Sequence, residues 1–312
     1  MVKELFYLLV FPGFLFISAF ALAGEYIDRK LYARFQNRVG PPWFQPLADL
    51  IKLLAKEDVI PCDANVSMFR MVPVFALTAA VAAVIYVPLW QSGSLYSFPG
   101  DVIVVLYLLT IPTLCFFVGG WYSTSLFARI GSVRTLTQLF AYEVPLFMSI
   151  LSAAVLAGSW SLRDIVNYYN AHPGYLLFNG IGFVVAMIAL LGKLEKTPFD
   201  IPEAETEIVA GSFTEYSGRL FAIFRLTLDI EMVVGAALIA AIFLPFGLNL
   251  GPVPAFIITI IKIELIIALL SLARTIFARL RIDQMVNFCW KYVVPMALVQ
   301  LVINFLVKGF LQ

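Results

Sequence analysis

Eight times along this chain about 20 largely apolar residues follow one another: about 4–24, 69–90, 102–121, 140–160, 176–194, 228–248, 253–272 and 288–310. A helix rises about 1.5 Å per residue, so each run matches a hydrocarbon core of about 30 Å. Inside lipid, backbone polar groups must be paired within the segment, which calls for helices rather than open sheet. Of the 312 residues 62% are hydrophobic and only 13% charged. The mean hydropathy is +0.93. Both an ordinary soluble domain and a disordered chain are thereby excluded. The expectation is an all-α integral membrane protein: a single polytopic domain over 1–312 with about eight transmembrane helices. The run from Leu5 to Ala23 ends in Ala21-Leu22-Ala23, which looks like a cleavage site, but it is longer than the roughly 7–15 apolar residues of a signal peptide, and it reads as the first span.

Charge sorts the connections. The first loop, 25–68, carries Arg29, Lys30, Arg34, Arg38, Lys52 and Lys56; the third carries Arg129 and Arg134. The fifth, an acidic loop at 195–227, adds Lys196, Arg219 and Arg225, with Lys193 at its edge, and the seventh adds Arg274, Arg279 and Arg281. The second and sixth have neither Lys nor Arg, and the fourth has only Arg163. The positive-inside rule then puts the odd-numbered loops in the cytoplasm and both termini outside, as expected for a multi-pass protein of the cell membrane. Within the first loop, Phe44, Leu47, Leu50, Ile51 and Leu54 recur at helical spacing, with Asp49, Lys52 and Lys56 opposite them. That pattern predicts a short amphipathic helix lying in the membrane interface, a shape that also serves as one wall of a cavity under a docked partner.

The remaining composition narrows the chemistry. Cys62, Cys115 and Cys289 stand far apart, and the single His172 sits in a loop beside Pro173. The chain thus offers no ligand set for a metal or an iron–sulfur cluster, no catalytic constellation, and, at a net charge of +1, no field for nucleic acid. Any electrons must run through other subunits.

Against that background one polar island stands out, EKTPFDIPEAETEIVAGSFTEYSGRLFAIFR, residues 195–225. Asp200, Pro202 and Glu203 resemble a helix start, with Asp200 as N-cap and Glu203 closing a capping box. Capping needs one acid, yet Glu205, Glu207 and Glu215 follow. Glu203 and Glu207, four apart, would repel on one helix face. Clustered carboxylates raise one another's pKa, which suits a proton relay or gate. Within the spans, Glu143 stands in AYEVPLF beside Pro145, and Lys262 and Glu264 stand in IIKIELII. A charge at mid-membrane costs about 2.5–3.5 kcal/mol on insertion scales, which marks these three as candidates for an ion path. Asp229 and Glu231 open the sixth span and read as interfacial, solvated acids. Asp49, Arg279, Arg281 and Asp283 read as partner-interface or charge-pairing residues, the last three either as topology charges alone or as partners of the island acids.

Four segments together carry a resemblance: RVGPPWFQPLADLIKLLAKE in the first loop, YEVP around Glu143, TPFDIPEAETEIVAGSFTEYSG in the island, and ARLRIDQMVNFCWKYVVP entering the last span. In this order they resemble the membrane subunit that joins the peripheral arm of respiratory complex I to its membrane arm. The same family serves membrane-bound [NiFe] hydrogenases, formate hydrogenlyase and archaeal sulfane-reducing complexes. The resemblance implies eight spans beneath a peripheral redox module. It also implies that Glu203, Glu205, Glu207 and Glu215 are the family's loop acids and Glu143 its buried acid. Gly40-Pro41-Pro42 and Glu195-Lys196-Thr197-Pro198 depart from the quinone-reducing pattern toward the hydrogenase and sulfane-reductase branch. The function it implies is a non-catalytic anchor and coupling subunit of a ferredoxin-linked hydrogenase-type complex, linking redox chemistry to proton or sodium translocation. The [NiFe] centre and iron–sulfur clusters belong to partner subunits. Those partners are hydrogenase-like large and small subunits and a ferredoxin-like iron–sulfur subunit, beside antiporter-like membrane subunits and lipid. The alternatives are a sulfane sulfur reductase and the quinone-chamber subunit of a complex I-type enzyme. A free-standing transporter is disfavoured because no repeated half is visible.

Overall fold

A computed structural model describes residues 2–89, 94, 96–247 and 251–311; the side chains of residues 2–5, 205, 206 and 311 lie outside the described residues. All regular structure among the described residues is helical, and eight helices are long and apolar enough to cross a membrane. In chain order the elements are α1 (Val2–Leu9), α2 (Phe14–Phe35), α3 (Gln45–Ala55), α4 (Val66–Tyr86), α5 (Asp101–Tyr122), α6 (Leu126–Ala157) and α7 (Leu162–Ala171). There follow α8 (Gly180–Lys193), α9 (Glu205–Ile208), α10 (Gly218–Phe243), α11 (Pro252–Ile276), α12 (Ile282–Phe288) and α13 (Val294–Leu311), the last two joined by a π-turn at Cys289–Val293.

The bundle is built around α10. Its most apolar 18 residues are 94% buried, against 61% or less in every other span. A helix apolar on all sides belongs at the centre, and α10 packs on α2, α4, α5, α8 and α11, with α3 across its N-terminal end. Small residues let it do so: an added Cβ at Gly235 would stand 2.5 Å from Leu190 Cδ1 of α8.

Three spans begin or end well beyond their apolar runs. The helix of the first span continues through Glu25, Asp28 and Arg29 to Phe35, the sixth span starts at Gly218, and α6 starts at Leu126. A hydropathy window stops at charge, whereas a helix continues wherever that charge finds partners in the fold. Residues 25–35 and 218–227, expected in loops, are therefore helical.

The interfacial helix forms as α3. Its Pro46 is buried and Leu50 packs on the core, while Phe44, Leu47, Ile51 and Leu54 remain 46–55% exposed. Its apolar face thus looks largely outward, as an interfacial helix requires.

Candidate functional site

At the end of the bundle that carries the basic loops, α2, α10, α11 and the island enclose a cavity of about 330 Å³. Six carboxylates line it, from Glu25, Asp28, Glu195, Asp200, Glu203 and Asp229, with five cations, from Arg29, Lys196, Arg225, Arg274 and Arg279. The acids of α2 hold it together. Glu25 receives Arg29 at 2.7 Å, Arg225 at 3.3 Å and Lys196 at 3.7 Å. Asp28 receives Lys196 and Arg274, both at 2.5 Å, and the Ser271 hydroxyl at 2.6 Å. Lys196 thereby bridges the two acids, and Arg279 closes the rim on Asp200 at 2.5 Å.

The island is folded over this cavity rather than looped into solvent. Gln138 on α6 donates to the carbonyls of Gly192 and Phe199 at 2.7 and 2.8 Å, fixing its start. Its 211–216 turn is clamped by aromatic packing: Tyr216 stacks on Phe69 at 4.0 Å, and Phe213 meets Phe116 and Phe224. Gly131 lets α6 approach this turn, since a Cβ there would fall 2.5 Å from the Gly211 carbonyl carbon. Gly211 itself has φ +54 and lies under the Pro202 carbonyl, where any Cβ would clash at 1.7 Å. The turn into α10 is tied to the first loop by Asp58, which accepts from Arg219 N at 2.7 Å.

Among the described acids of the island Glu195 is the most enclosed. It is 4% exposed, and the Thr135 hydroxyl beside it is aligned on the Gly131 carbonyl at 3.2 Å rather than on either carboxylate oxygen. Burial, then the nearby charges of Glu203 and Glu231, push its pKa well above the usual carboxylate range. Deeper in, Lys193 at the end of α8 lies 2.8 Å from Glu231 of α10, both essentially unexposed, and it also bonds the Leu109 carbonyl of α5. Glu231 receives no aligned hydrogen bond, so the contact is a charge pair. Alongside, Tyr142 of α6 gives its hydroxyl to Thr113 at 3.0 Å, and the next residue, Glu143, accepts from Thr110 of α5. From the N-terminus of α10, Glu231 lies 13 residues along, about 20 Å into the bundle.

The sequence profile of the NADH dehydrogenase family matches residues 7–305. The chain belongs to this family. It is similar to an NADH-quinone oxidoreductase subunit of Carboxydothermus hydrogenoformans, 34% identical over 96% of this chain and 86% of the relative. It is also similar to the corresponding NADH-quinone oxidoreductase subunit of Symbiobacterium thermophilum, 36% identical over 88% and 87%. Among solved structures it matches a chain of the membrane-bound sulfane sulfur reductase, an archaeal respiratory membrane complex. The TM-score is 0.84 with 26% identity, over 93% of this chain and 96% of that one. The chain is accordingly a membrane component of a complex of the respiratory kind.

Within this family member, the expected site residues do not share one place. Glu203 lines the charged cavity. Glu207, with Arg279, Arg281 and Asp283, lines a second recess of about 420 Å³ beside it, where Arg134 holds Glu207 at 2.7 Å. Glu215 is half-buried on the turn before α10 and lines neither, and the side chain of Glu205 lies outside the described residues. Glu143 sits in the span, partnered by Thr110 rather than by a cation. Asp49 accepts from Gln45 at 2.7 Å and pairs with Arg29 at 3.0 Å, joining α3 to the cavity wall.

Lys262 and Glu264 lie elsewhere in the bundle, on α11. Lys262 reaches the Phe246 carbonyl and stands 4.5 Å over that ring, and Glu264 keeps one buried oxygen without a partner. They line neither cavity.

Three expectations are corrected. Asp229 and Glu231 are not interfacial: they are 6% and 0% exposed, because α10 starts ten residues earlier than its apolar run and carries both inward. Asp200 is not an N-cap; the helix begins at Glu205 after Ala204, and Asp200 pairs with Arg279 instead. Glu203 and Glu207 do not share a helix face, since Glu203 lies in the preceding turn. Glu25 and Asp28 carry no expectation from the sequence, and Lys193 and Lys196 read there only as loop charges. The signal for them was present: acids at i and i+3 inside α2 and a Lys-x-x-Lys run closing the fifth span.

Proposed function

We propose that this chain is the anchor and coupling subunit of a ferredoxin-linked, hydrogenase-type membrane complex, passing redox-driven changes in a peripheral arm to proton or sodium movement. In this reading the basic loops face the cytoplasm. The partner subunits, with their [NiFe] centre and iron–sulfur clusters, sit over the two charged recesses, and antiporter-like subunits flank the spans. Glu203, Glu195 and the acids of α2 receive the change; Glu231 and Glu143 carry it into the membrane. The observation that carries the reading is the set of ionisable groups drawn into the bundle: the paired acids of the cavity, the Lys193–Glu231 pair, and the half-buried Glu143 held by Thr110. Such groups are costly inside a bilayer and serve ion paths more readily than packing.

The nature of the cavity favours the hydrogenase-type branch over a quinone site. Pockets for ring-shaped ligands are walled mainly by apolar side chains. This one is walled by ion pairs, and Lys196 spans its middle between Glu25 and Asp28. The sulfane-reductase reading is the second, supported by the structural likeness to that complex. The names of the NADH-quinone oxidoreductase relatives support the third, a quinone-reducing enzyme.

One preparation separates the three. The complex is purified through a tag on this chain, and its metals and activities are measured. Nickel, with hydrogen evolved from dithionite-reduced ferredoxin and ion uptake by vesicles, is the expected result. Sulfide from polysulfide without nickel points to the second reading, and quinone reduction without nickel to the third. Loss of ion uptake in Glu143→Gln supports coupling through this chain; normal uptake in that variant removes it.

A further inference from the structure

We propose that Glu264 of α11 is the contact point for a transmembrane helix of another subunit, which reaches it with a Lys or Arg side chain at mid-bilayer depth and packs along the seam between α11 and α2. The proposal goes beyond the coupling reading. It needs only that the chain is a membrane component of a larger complex, whichever acceptor takes the electrons.

Depth is the first argument. Glu264 is the thirteenth of the 25 residues of α11, with 12 residues to either end. At a rise of about 1.5 Å per residue it stands about 18 Å from each end of the helix. Long Lys and Arg side chains reach the interface by snorkelling, but a glutamate is too short to do so from there. The residue is half-buried, and one carboxylate oxygen is enclosed without a hydrogen-bond partner. No side chain or backbone group among the described residues bonds to it or pairs with it. Other ionisable groups inside the spans are provided for: Glu231 by Lys193, Glu143 by Thr110, and Lys262 by the Phe246 carbonyl and ring. Lys262 does not serve Glu264. Two residues turn a helix by about 200°, and the Lys262 ammonium is held at Phe246, beyond the end of α10.

The surroundings are the second argument. Beside Glu264, Ile257, Ile261 and Leu265 of α11 are 49–58% exposed, whereas Ile263, Ile266 and Ile267 face the core. One flank of that open face is α2, which runs parallel to α11. Ser271 donates to Asp28 at 2.6 Å, and a Cβ on Gly24 would stand 3.3 Å from Ile267, two contacts with the same offset of 243 residues. That register sets Glu264 level with Ala21, between Ala19 and Ala23. Both of those alanines are exposed, and Ala268, one turn along α11, is half-buried. Small side chains let a further helix approach closely. The first span is also the least covered of the eight, with 22% of its most apolar window buried.

Charge decides the occupant. A carboxylate out of water needs a partner, and beyond this seam lie lipid or another subunit. Acyl chains carry no donor, and headgroups lie about 15 Å from the bilayer centre. Water in the described cavities does not serve, because Glu264 lines neither of the two charged recesses. A second copy of this chain packed on the same face would set one Glu264 against another, and like charges repel strongly at low dielectric. A span with a basic residue at its middle is equally costly in lipid by itself, so pairing relieves both helices at once.

The test uses the complex purified through a tag on this chain. The photoreactive probe p-benzoylphenylalanine replaces Ile261 or Leu265, and the adducts are sequenced by mass spectrometry. The expected adduct is a membrane-spanning peptide of another subunit with Lys or Arg in the middle of its span. Lipid adducts alone, an adduct to a second copy of this chain, or an adduct to a span without a basic residue overturns the proposal. Glu264→Gln keeps the shape and removes the charge. It is expected to lower recovery of the cross-linked subunit by about fivefold or more, the scale of one intramembrane polar contact, while the peripheral subunits keep their ratio to this chain. Unchanged recovery also overturns it. If Glu264→Gln does not accumulate, the adducts decide. Nickel and hydrogen evolution beside lipid adducts alone remove this proposal and keep the hydrogenase reading. A basic span cross-linked in a complex without nickel does the reverse.

Discussion

Asp28 ties α2 to both the island and α11, and Asp28→Asn measures how much that tie holds. The substitution keeps the shape and an acceptor for Ser271 but removes the charge that faces Lys196 and Arg274, each at 2.5 Å. Lys196 retains Glu25 at 3.7 Å, and Arg274 retains the face of Tyr32, 4.5 Å from its centroid. Removing one member of a buried ion pair costs about 3–5 kcal/mol, because the other charge is left without compensation. Lys196 and Arg274 are 16% and 19% exposed, so water recovers part of that. A loss of about 3 kcal/mol remains, which at about 2–4 °C per kcal/mol lowers the melting temperature by roughly 6–12 °C. Thermal unfolding in detergent, followed by tryptophan fluorescence, reads it. The cycle with Arg274→Met isolates the cause. With Asp28 in place Arg274→Met is expected to destabilise, and on top of Asp28→Asn to be neutral or stabilising, since the orphaned cation is then gone. A shift under 1 °C for Asp28→Asn, or equal costs for Arg274→Met in both backgrounds, would refute the account of Asp28 as the charge that binds α2, α11 and the island together.

Three further outcomes follow from other contacts. Glu195 has a folded-state pKa raised above its ordinary value of 4.5, so the native state holds this proton more tightly than the unfolded chain. Its contribution is therefore fully present below about pH 4 and is lost as pH rises from there through the folded-state pKa. Glu195→Gln should flatten this decline, matching the unsubstituted protein at about pH 4 and exceeding it increasingly above that, by thermal melts across pH; identical slopes would count against a buried neutral acid. Gly131→Ala forces a methyl against the Gly211 backbone, with an expected loss of about 1–3 kcal/mol and faster proteolysis of the island; unchanged digestion would refute the close approach. Glu207→Gln breaks the Arg134 pair on a side chain that is 61% exposed, so stability should change by less than about 1 kcal/mol, and a larger loss would show that the second recess is less solvated than it stands.

The membrane class, the eight spans and the interfacial helix were legible because lipid imposes its demands locally. A run of apolar residues long enough to cross is a statement about its own backbone and needs no knowledge of neighbours. The island was legible for a related reason, since six acids between apolar segments contradict their surroundings. The charged cavity was not legible. Glu25 and Asp28 fall past the end of the first apolar run, and Asp229 and Glu231 read as interfacial acids, because a hydropathy window treats each charge as unpaired. The cost of Glu25, Asp28 and Glu231 is offset only when Lys196, Arg225, Arg274 and Lys193 arrive from other parts of the chain, up to 246 residues away in the case of Asp28 and Arg274. The sequence by itself determined which segments enter the bilayer, since that depends on composition along one helix. Only the tertiary structure decided which charges follow them in, since an ion is tolerated there by virtue of a partner that the local sequence does not contain.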